Sequence, residues 1–441
     1  MPVDVASVDS SPDMPADADV VVVGGGIIGV STAYFLAESG QRVVLCEKGI
    51  IAGEQSSRNW GWCRSMGRDP REIPLMMESL SIWRGLNERL NDETGFRQTG
   101  TLYICPDEAS YAKREAWLPH ARQNGVKSVL LRGRQVNDVL TDSAGTWTGA
   151  LYTPDDGVAE PSLAAPALAR AAARQGATIL QRCAVRGVDM QAGRVAGVVT
   201  ERGRIRTSRV VLAGGVWSSL FASTLGVRFP QLKVLASVLR TGPTSAGPLT
   251  AAWGPGLALR KRLDGGYTVS SGSVVAQVVP DSFRFFRDFI PVLRQEWSGV
   301  AVRFGSAFLD EWRLTRPWNM DKISPFERVR IVDPEPSAKE IVRARQNLNH
   351  AFPAFERVPT AATWGGIIDA TPDLVPVISE VESVPGLVLS SGFSGHGFGI
   401  GPGAGKLTAQ IATGKGPVVD PVPFSFSRFL DGSSLRPLAG F

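Results

Sequence analysis

Three glycines near the N-terminus have the spacing that lets a backbone approach a phosphate group. Gly24, Gly26 and Gly29 form the pattern G-x-G-x-x-G. In this pattern the first glycine allows a tight turn, the second lets the backbone come close to a diphosphate, and the third lets a helix pack on a strand. Glu47 ends the next apolar run, where its carboxylate can accept hydrogen bonds from an adenosine ribose and would repel a 2′-phosphate. The pattern therefore predicts an adenine dinucleotide site.

The elements that must position these residues form a βαβ unit. Residues 20–23 are four valines, residues 27–37 have apolar side chains at helical spacing, and residues 43–45 form a second apolar strand. A helix that begins at Ile27 directs free amides and partial positive charge toward the glycine turn. Ile27 and Ile28 are therefore expected to lie beside the diphosphate.

Composition bounds the protein class. The chain has 441 residues, of which 43% are hydrophobic, as expected of a globular protein with two or more domains. The net charge of +5 is spread along the chain, so we interpret it as a solvated surface and predict no nucleic-acid partner. The four cysteines and three histidines are scattered, which predicts neither a disulfide framework nor a metal site.

Two segments carry predictions about membranes and order. Residues 1–18 are acidic and proline-rich, which predicts a disordered leader. No apolar run approaches the roughly 20 residues that cross a bilayer, so we predict no transmembrane segment and a cytoplasmic protein. Residues 283–293 alternate aromatic residues and arginines. We interpret them as a buried helix, with contact to a membrane surface or a partner as the alternative.

The order of motifs along the chain predicts an α/β protein with a discontinuous domain organisation. Residues 19–68, 154–232 and 373–441 each contain strands followed by glycines and a helix. We assign these three stretches to a Rossmann-like domain with a parallel sheet. Residues 69–153 and 233–372 contain short strands and turns with many tryptophans and arginines, and we assign them to a second domain.

Five motifs in this order resemble one family. Besides the glycine turn with Glu47, they are SSRNWGW at residues 56–62, AGGVWS at 213–218, TPDLVPVI at 371–378 and SGFSGHGFGIGPG at 391–403. Together they resemble FAD-dependent amine and amino-acid oxidoreductases of the D-amino-acid oxidase, glycine oxidase and sarcosine oxidase group. The resemblance implies that the cofactor is FAD, and that the second domain is an α+β substrate domain with an antiparallel sheet.

The resemblance also implies which residues hold the cofactor. The predicted cofactor-binding residues are Gly24, Gly26, Ile27, Ile28, Glu47, Lys48, Ser56, Ser57, Arg58, Asn59, Trp60, Val185, Ala213, Gly214, Trp217, Gly395, His396, Gly397, Phe398, Gly399 and Ile400. Some members of the family attach flavin covalently through cysteine or histidine. Because residues 49–62 contain no histidine and no cysteine follows Cys183, we predict noncovalent FAD, with Cys63 as a remote alternative.

The implied reaction is oxidation of a C–N bond. A neutral amine loses hydride to flavin N5, and the resulting imine is hydrolysed by water. The amides of residues 395–400 are expected to stabilise the negative charge that develops at flavin N1 and C2=O. His396 either reaches the flavin or substrate, or caps the loop. No side-chain base is required if the amine arrives deprotonated, so none is predicted.

One departure from the family bears on the substrate. Glycine-oxidase-like relatives carry an arginine three residues before the threonine of the 371–378 motif, where it pairs with the substrate carboxylate. Here that residue is Ile368, so a simple amino acid is disfavoured unless another arginine substitutes. The candidate arginines are Arg64, Arg68, Arg260 and Arg316. The candidate pocket tryptophans are Trp60, Trp62, Trp253, Trp312, Trp318 and Trp364.

We therefore predict catalytic-site roles for His396, Arg64, Trp364 and Ile368, of which Trp364 is the favoured pocket aromatic. The predicted substrate is an amine or an unusual amino acid, and the electron acceptor is oxygen or another molecule. The alternative is a flavoprotein dehydrogenase subunit that passes electrons to a partner protein or a quinone. The sequence does not indicate the oligomeric state.

Overall fold

The computed structural model describes residues 4–296, 300–314 and 318–438. Its strands are β1 (Val20–Val23), β2 (Val43–Cys46), β3 (Trp62–Cys63), β4 (Arg97–Gln98), β5 (Thr101–Cys105), β6 (Val129–Arg132), β7 (Gly149–Thr153), β8 (Gly157–Val158), β9 (Thr178–Leu180), β10 (Val185–Gln191), β11 (Arg194–Thr200), β12 (Gly203–Arg206), β13 (Val210–Leu212), β14 (Leu232–Thr241), β15 (Ala251–Gly254), β16 (Leu257–Lys261), β17 (Tyr267–Ser270), β18 (Val274–Gln277), β19 (Val300–Arg303), β20 (Thr360–Ala370), β21 (Val377–Glu380) and β22 (Leu387–Ser391).

Its α-helices are α1 (Ile27–Glu38), α2 (Gln55–Arg58), α3 (Ile73–Leu90), α4 (Glu108–Glu115), α5 (Leu118–Gln123), α6 (Arg134–Val139), α7 (Pro161–Arg174), α8 (Ser218–Ser223), α9 (Pro280–Arg284), α10 (Phe286–Glu296), α11 (Ser306–Trp312), α12 (Pro325–Arg328), α13 (Ala338–Ala351) and α14 (Gly397–Ala412).

A parallel sheet forms the first layer. Its strand order is β21-β22-β13-β1-β2-β9, and every neighbouring pair is parallel except β21 and β22. The strands are almost continuous apolar runs because both faces of the sheet are covered. One face packs against α1, α7 and α14, and the other packs against the three-stranded sheet β10-β11-β12 and α8. The chain proceeds from β1 toward β2 on one side and later adds β13 on the other. This reversal leaves a crevice at the carboxyl ends of β1 and β13, which is where such sheets bind ligands.

Close helix packing supports that crevice. Helix α1 contacts both α7 and α14. A Cβ atom on Gly29 would lie 1.9 Å from the Gly24 carbonyl oxygen, so only glycine lets α1 pack this near β1. A Cβ atom on Gly405 would lie 2.3 Å from the Ser31 side chain. These small residues let two helices converge on the crevice.

A ten-stranded sheet forms the second layer. Its long central strand β14 pairs with β20 along its whole length, and on its other edge with β17 and β18. Its pairs are antiparallel except β5 with β15 and β18 with β19. The predicted fold class, a Rossmann-like parallel sheet with a separate antiparallel sheet in a discontinuous chain, is confirmed. The domain boundaries stay a prediction.

The N-terminal segment differs from its prediction of disorder. Residues 4–18 run along the Rossmann-like domain, where Val5 and Val8 pack against the core beneath α1. The Ser11 amide donates to the Ile179 carbonyl at 2.7 Å. Composition suggested disorder because the segment is acidic and proline-rich. Its few apolar side chains and its backbone nevertheless find partners on the edge strand β9.

Our interpretation of residues 283–293 is a buried helix, with an exposed contact surface as the alternative, and the structure shows one buried and one exposed face. The side chains of Phe285, Phe289 and Val292 are buried in one small core, while Phe283 is 64% and Phe286 is 57% exposed. One face of the segment therefore packs on the second domain and the other meets solvent. Within the described ranges, no helix has the length and apolarity to cross a membrane.

Candidate active site

A cavity opens at the carboxyl ends of β1 and β13. Its wall combines residues from 23–68, 185–274 and 366–399, together with Phe326. The predicted residues on this wall are Gly24, Gly26, Ile27, Ile28, Glu47, Lys48, Ser56, Arg58, Asn59, Trp60, Arg64, Val185, Ala213, Gly214, Trp217, Ile368, Gly395, His396, Gly397, Phe398 and Gly399. Stretches that are far apart in sequence thus meet around one space.

Three predicted residues do not line the cavity. The Ser57 hydroxyl turns back to donate to the Glu54 carbonyl at 3.2 Å. Ile400 lies within α14 and is fully buried in the core. Trp364 is buried, and its indole N–H donates to the Arg58 carbonyl at 3.0 Å. Trp364 therefore holds the end of α2 and is not part of the cavity wall.

The glycine turn leaves the room that a diphosphate needs. Gly24 has a φ of +112°, and a Cβ atom there would lie 2.4 Å from the Ala213 carbonyl oxygen. A Cβ atom on Gly26 would meet only the Ser56 hydroxyl oxygen, at 3.1 Å. The Ile27 amide donates to that hydroxyl at 2.8 Å. Gly26, Ile27 and Ile28 all line the cavity, so the N-terminus of α1 lies where an anion could bind.

Glu47 orders the turn after β2. Its Oε2 accepts from the Gly25 amide at 2.7 Å and its Oε1 accepts from the Gly49 amide at 2.7 Å. Burial raises the pKa of this carboxyl, and the neighbouring Lys48 opposes the rise. Each carboxylate oxygen keeps acceptor capacity for a ribose hydroxyl, so Glu47 fits the adenosine end of FAD.

Arg58 carries an unsatisfied donor on the cavity wall. Its Nη1 donates to Asp333 Oδ1 at 2.6 Å and to the Gly365 carbonyl at 3.1 Å. Its buried Nε has no hydrogen-bond partner among the residues that the structure describes. A buried N–H without an acceptor is costly. An acceptor supplied by the cofactor would remove that cost, so Arg58 fits its predicted role.

The distant glycine loop brings a helix N-terminus to the cavity. Positive φ values at Gly392 (+79°), Ser394 (+50°) and Gly395 (+81°) turn the chain sharply before α14 begins at Gly397. The Gly399 carbonyl accepts from the buried Trp83 indole at 2.7 Å, which fixes the first turn. The free amides of that turn are donors suited to negative charge on a flavin ring.

His396 is buried beside this helix start. Neither ring nitrogen has a hydrogen-bond partner among the described residues, although Nδ1 lies 3.7 Å from Glu72 Oε2. Burial lowers the pKa of His396 well below its ordinary value of 6.5, and the charges of Arg64 and Arg68 lower it further. The imidazole is therefore neutral at pH 7.

This burial predicts a dependence of stability on pH. In the unfolded chain His396 takes a proton near pH 6.5, whereas the folded state resists protonation, so its contribution to stability falls as pH decreases below 6.5. We expect wild type to lose about 1.4 kcal/mol per pH unit relative to His396→Gln below that point. Melting of both apoproteins from pH 7.5 to 5 measures it; parallel curves would contradict it. Burial also raises the pKa of Glu72. Because Glu72 is present in both wild type and His396→Gln, its titration is part of both melting curves.

Arg64 is a buried cation without an acidic partner. Its side chain is 7% exposed and lines the cavity. Its Nη1 donates to the Met66 carbonyl at 2.6 Å, and the guanidinium carbon lies 5.5 Å from the centre of the Tyr103 ring. Within the described part of the chain, no salt bridge involves Arg64. The wall thus carries a positive charge that has no carboxylate within salt-bridge distance among the described residues, although this charge acts on the nearby Glu72 carboxyl.

The other candidate arginines are engaged or lie elsewhere. Arg68 donates to the buried Glu72 carboxylate at 2.9 Å. Arg260 makes a bidentate pair with Glu160, at 2.8 and 2.9 Å, and does not line the cavity. Arg316 lies outside the described residues. Arg64 and Arg68 both line the cavity, and of these two only Arg68 has a carboxylate partner among the described residues.

Tryptophans surround the space near Arg64. The centre of the Trp60 ring lies 5.5 Å from Trp62 and 5.8 Å from Trp253, both edge to face, and all three residues line the cavity. Trp312 is 70% exposed, and Trp318 packs on Phe326 away from this cluster. The wall beside the cation is therefore aromatic.

Several wall residues were missed by sequence reasoning. Asp369 is buried at the end of β20 and accepts from the Gln55 amide at 2.8 Å and from the Gly392 amide at 2.9 Å. Burial raises its pKa. Asp369 thus connects the 55–60 loop to the glycine loop. The sequence feature that could have indicated Asp369 is an acidic residue directly after the apolar residues Ile367 and Ile368. The others include Glu54, Gln55, Ala236, Val238, Gly272 and Phe326.

Comparisons with known proteins give concordant matches. A family model described as DAO, FAD dependent oxidoreductase, matches residues 19–411. Sarcosine oxidase subunit beta from an Arthrobacter species is 28% identical over 432 residues, which cover 96% of this chain and 94% of the relative. The solved L-amino acid deaminase from Proteus myxofaciens, in complex with anthranilate, superposes with a TM-score of 0.94 at 35% identity, covering 97% of each chain. The deaminase from Proteus vulgaris gives 0.92 at 34% identity, covering 96% of this chain and all of that one.

Proposed function

This chain belongs to the DAO family of FAD-dependent oxidoreductases, and from that premise we propose that it oxidises the C–N bond of an α-amino acid with an apolar side chain. The family relationship makes the protein an FAD-dependent amine or amino-acid oxidoreductase. The observation that carries the finer proposal is the guanidinium of Arg64, which is buried on the cavity wall and has no salt-bridge partner among the described residues.

Arg64 supplies what Ile368 cannot. Ile368 lines the cavity without charge, so a carboxylate bound there alone would lose its hydration without gaining a partner, at a cost of several kcal/mol. A guanidinium binds a carboxylate through two parallel N–H donors. Arg64 keeps donors free for this after its bond to the Met66 carbonyl. The expected disadvantage for an ordinary amino acid therefore disappears.

The aromatic wall favours an apolar substrate side chain. Trp60, Trp62 and Trp253 surround the space next to Arg64, and their rings stabilise apolar or aromatic groups by burial and edge contacts. The similarity to L-amino acid deaminases favours the L enantiomer. The cavity thus matches a zwitterion with an apolar tail.

The chain's own residues would orient the reaction. Bound FAD supplies the hydride acceptor. The start of α1 and Glu47 would hold its diphosphate and ribose, and the amides of Gly397 and Phe398 would stabilise negative charge on the ring. Arg64 would bind the substrate carboxylate and so orient the substrate within the cavity. His396, being neutral, adds no positive charge that would oppose hydride loss.

Anaerobic bleaching of the flavin tests the substrate class. The holoenzyme is mixed without oxygen with L- and D-amino acids, N-methyl amino acids and amines that lack a carboxylate. We expect the fastest bleaching with L-phenylalanine or L-leucine, and slow bleaching with glycine, sarcosine and simple amines. A preference for carboxylate-free amines would overturn the proposal while leaving the family assignment intact.

The electron acceptor has two candidates. One relative, covered over 94% of its length, is named a subunit of an oxidase, which supports a partner protein. Another relative, matched over 95% of this chain, is named a sarcosine dehydrogenase, which supports an electron acceptor other than oxygen. Oxygen is the other candidate. Peroxide formation on substrate addition supports the oxidase, whereas bleaching without oxygen uptake, reversed by a dye, supports the dehydrogenase. Noncovalent attachment and cytoplasmic location stay predictions.

A further inference from the structure

Residues 318–334, here termed the strap, leave the second domain and cross the outside of the cofactor cavity. The strap includes the short helix α12. Its Trp318 donates an indole N–H to the Arg186 carbonyl at 2.8 Å, at the start of β10. Further along, the Val332 amide donates to Glu54 Oε1 at 3.0 Å. A segment assigned by sequence to the substrate domain is therefore bonded to the Rossmann-like domain.

Two ion pairs hold the middle of the strap. The Glu327 carboxylate accepts hydrogen bonds from Nε and Nη2 of Arg186, at 2.9 Å each, and the pair is largely buried. Arg330 donates to Glu201 on the loop after β11, with Nη2 and Oε2 2.6 Å apart. The pKa of Glu327 falls to about 2, because the bonds from Arg186 and Ser324 outweigh its burial. Both anchors are therefore charged at neutral pH.

The strap is also joined to the corner that follows Glu47. Lys48 Nζ donates to the carbonyls of Val329, at 3.0 Å, and Arg330, at 2.9 Å. In return Arg330 Nη1 donates to the Lys48 carbonyl at 2.9 Å. A Cβ atom on Gly49 would lie 2.5 Å from the Arg330 carbonyl oxygen. The strap thus touches the backbone next to the ribose-binding carboxylate.

Phe326 carries the strap into the cavity wall itself. Its ring packs against Trp217 and Phe221, with centres 5.8 Å apart in each case, and it shares one hydrophobic core with Val185. Phe326, Trp217 and Val185 all line the cavity. The half of the cavity that fits adenosine is therefore closed on its outer side by a residue from the second domain.

We propose that the strap retains FAD: Phe326 covers the adenosine half of the site, and the Arg186–Glu327 and Arg330–Glu201 pairs keep it closed. FAD then leaves when the strap opens, and the dissociation rate reports the strength of the anchors. This role is independent of the substrate proposed above. It concerns positioning residues, because the anchors act on the cofactor through Phe326.

The test is the rate at which holoenzyme loses FAD. Each protein is mixed with excess flavin-binding apoprotein, and the transfer of flavin is followed by fluorescence. We expect Phe326→Ala to release FAD at least about tenfold faster, and Glu327→Gln and Arg330→Gln severalfold faster, since partly buried charge pairs contribute on the order of 1 kcal/mol. High salt should speed release from wild type and have less effect on the anchor variants.

Arg209→Gln is the matched control. Arg209 pairs with Glu380 at the edge of the parallel sheet, and its exposure of 35% is close to the 34% of Arg330. This variant should keep the wild-type release rate. Equal release from wild type, Phe326→Ala and the anchor variants would overturn the proposal. Faster release from Arg209→Gln to the same extent would also overturn it, because the effect would then reflect general destabilisation.

A double-mutant cycle separates retention from stability. If Arg330 and Glu201 act through their pair, Arg330→Gln combined with Glu201→Gln should speed FAD release by less than the product of the two single effects. Additive effects would overturn the paired anchor. Melting of the apoproteins gives the second readout. If the strap retains cofactor, its variants speed FAD release with little change in apoprotein stability; if the strap is merely structural, they speed release and lower apoprotein stability together.

Discussion

Replacement of Arg64 by glutamine is expected to lower kcat/KM for α-amino acids by about 10²- to 10³-fold. The variant would leave the substrate carboxylate buried without its cationic partner, at a cost of about 3–4 kcal/mol. Glutamine can still donate to the Met66 carbonyl, which Arg64 now contacts at 2.6 Å, so the loop should keep its shape. Steady-state kinetics with an apolar L-amino acid measures the loss, and the flavin content confirms that the site is intact.

Arg114→Gln is the comparison for this result. The guanidinium carbon of Arg114 lies 4.5 Å from the centre of the Tyr103 ring, which Arg64 also contacts. Arg114 does not line the cavity. Its loss should change kcat/KM little. The ratio of kcat/KM for an amino acid to kcat/KM for the corresponding amine without a carboxylate should fall strongly in Arg64→Gln and stay unchanged in Arg114→Gln. An equal fall for both compounds would show that Arg64 does not bind the carboxylate.

Replacement of Gly26 by glutamate is expected to abolish FAD binding. The missing side chain leaves space at the start of α1, bounded only by the Ser56 hydroxyl, and that space fits the diphosphate. Glutamate would fill it and bring a negative charge against two phosphates, which removes the helix-terminus site. The purified variant should be colourless, without the flavin absorbance near 450 nm that we expect of the wild-type protein.

The same substitution elsewhere provides the control. Gly85 lies on the exposed face of α3, and a Cβ atom there would meet nothing within 4 Å. Gly85→Glu should keep stoichiometric flavin, since glutamate favours a helix more than glycine does. Stoichiometric flavin in Gly26→Glu would contradict the assignment of the glycine turn to the cofactor.

Local patterns predicted segments that the structure brings together around the cavity. The glycine turn, Glu47 and the 391–403 loop each place functional atoms through the conformation of adjacent residues, and short-range sequence rules describe such conformations. Ser57 and Ile400 fail for an equally local reason. Neighbouring residues on a helix point in different directions, so a contiguous motif includes members that face the core.

Long-range partners could not be predicted in this way. Trp364 shares a strand face with Ile368, but four residues of strand place it about 13 Å further along, where it meets the Arg58 carbonyl. The strap depends on ion pairs between residues more than 120 positions apart, such as Arg330 with Glu201, and neither residue type at either position signals the other. The order of residues 4–18 depends likewise on contacts with distant strands.

The cavity also bears on the order in which the protein can be completed during synthesis. Its walls come from residues 23–68 at one end of the chain and 366–399 near the other, and β22, which leads into the distant glycine loop, pairs with β13 and not with β1. A nascent chain that stops before α14 has the nucleotide half of the site without the ring half. Cofactor loading is therefore expected after translation is nearly finished, so C-terminal truncations should yield flavin-free protein even when the first half folds.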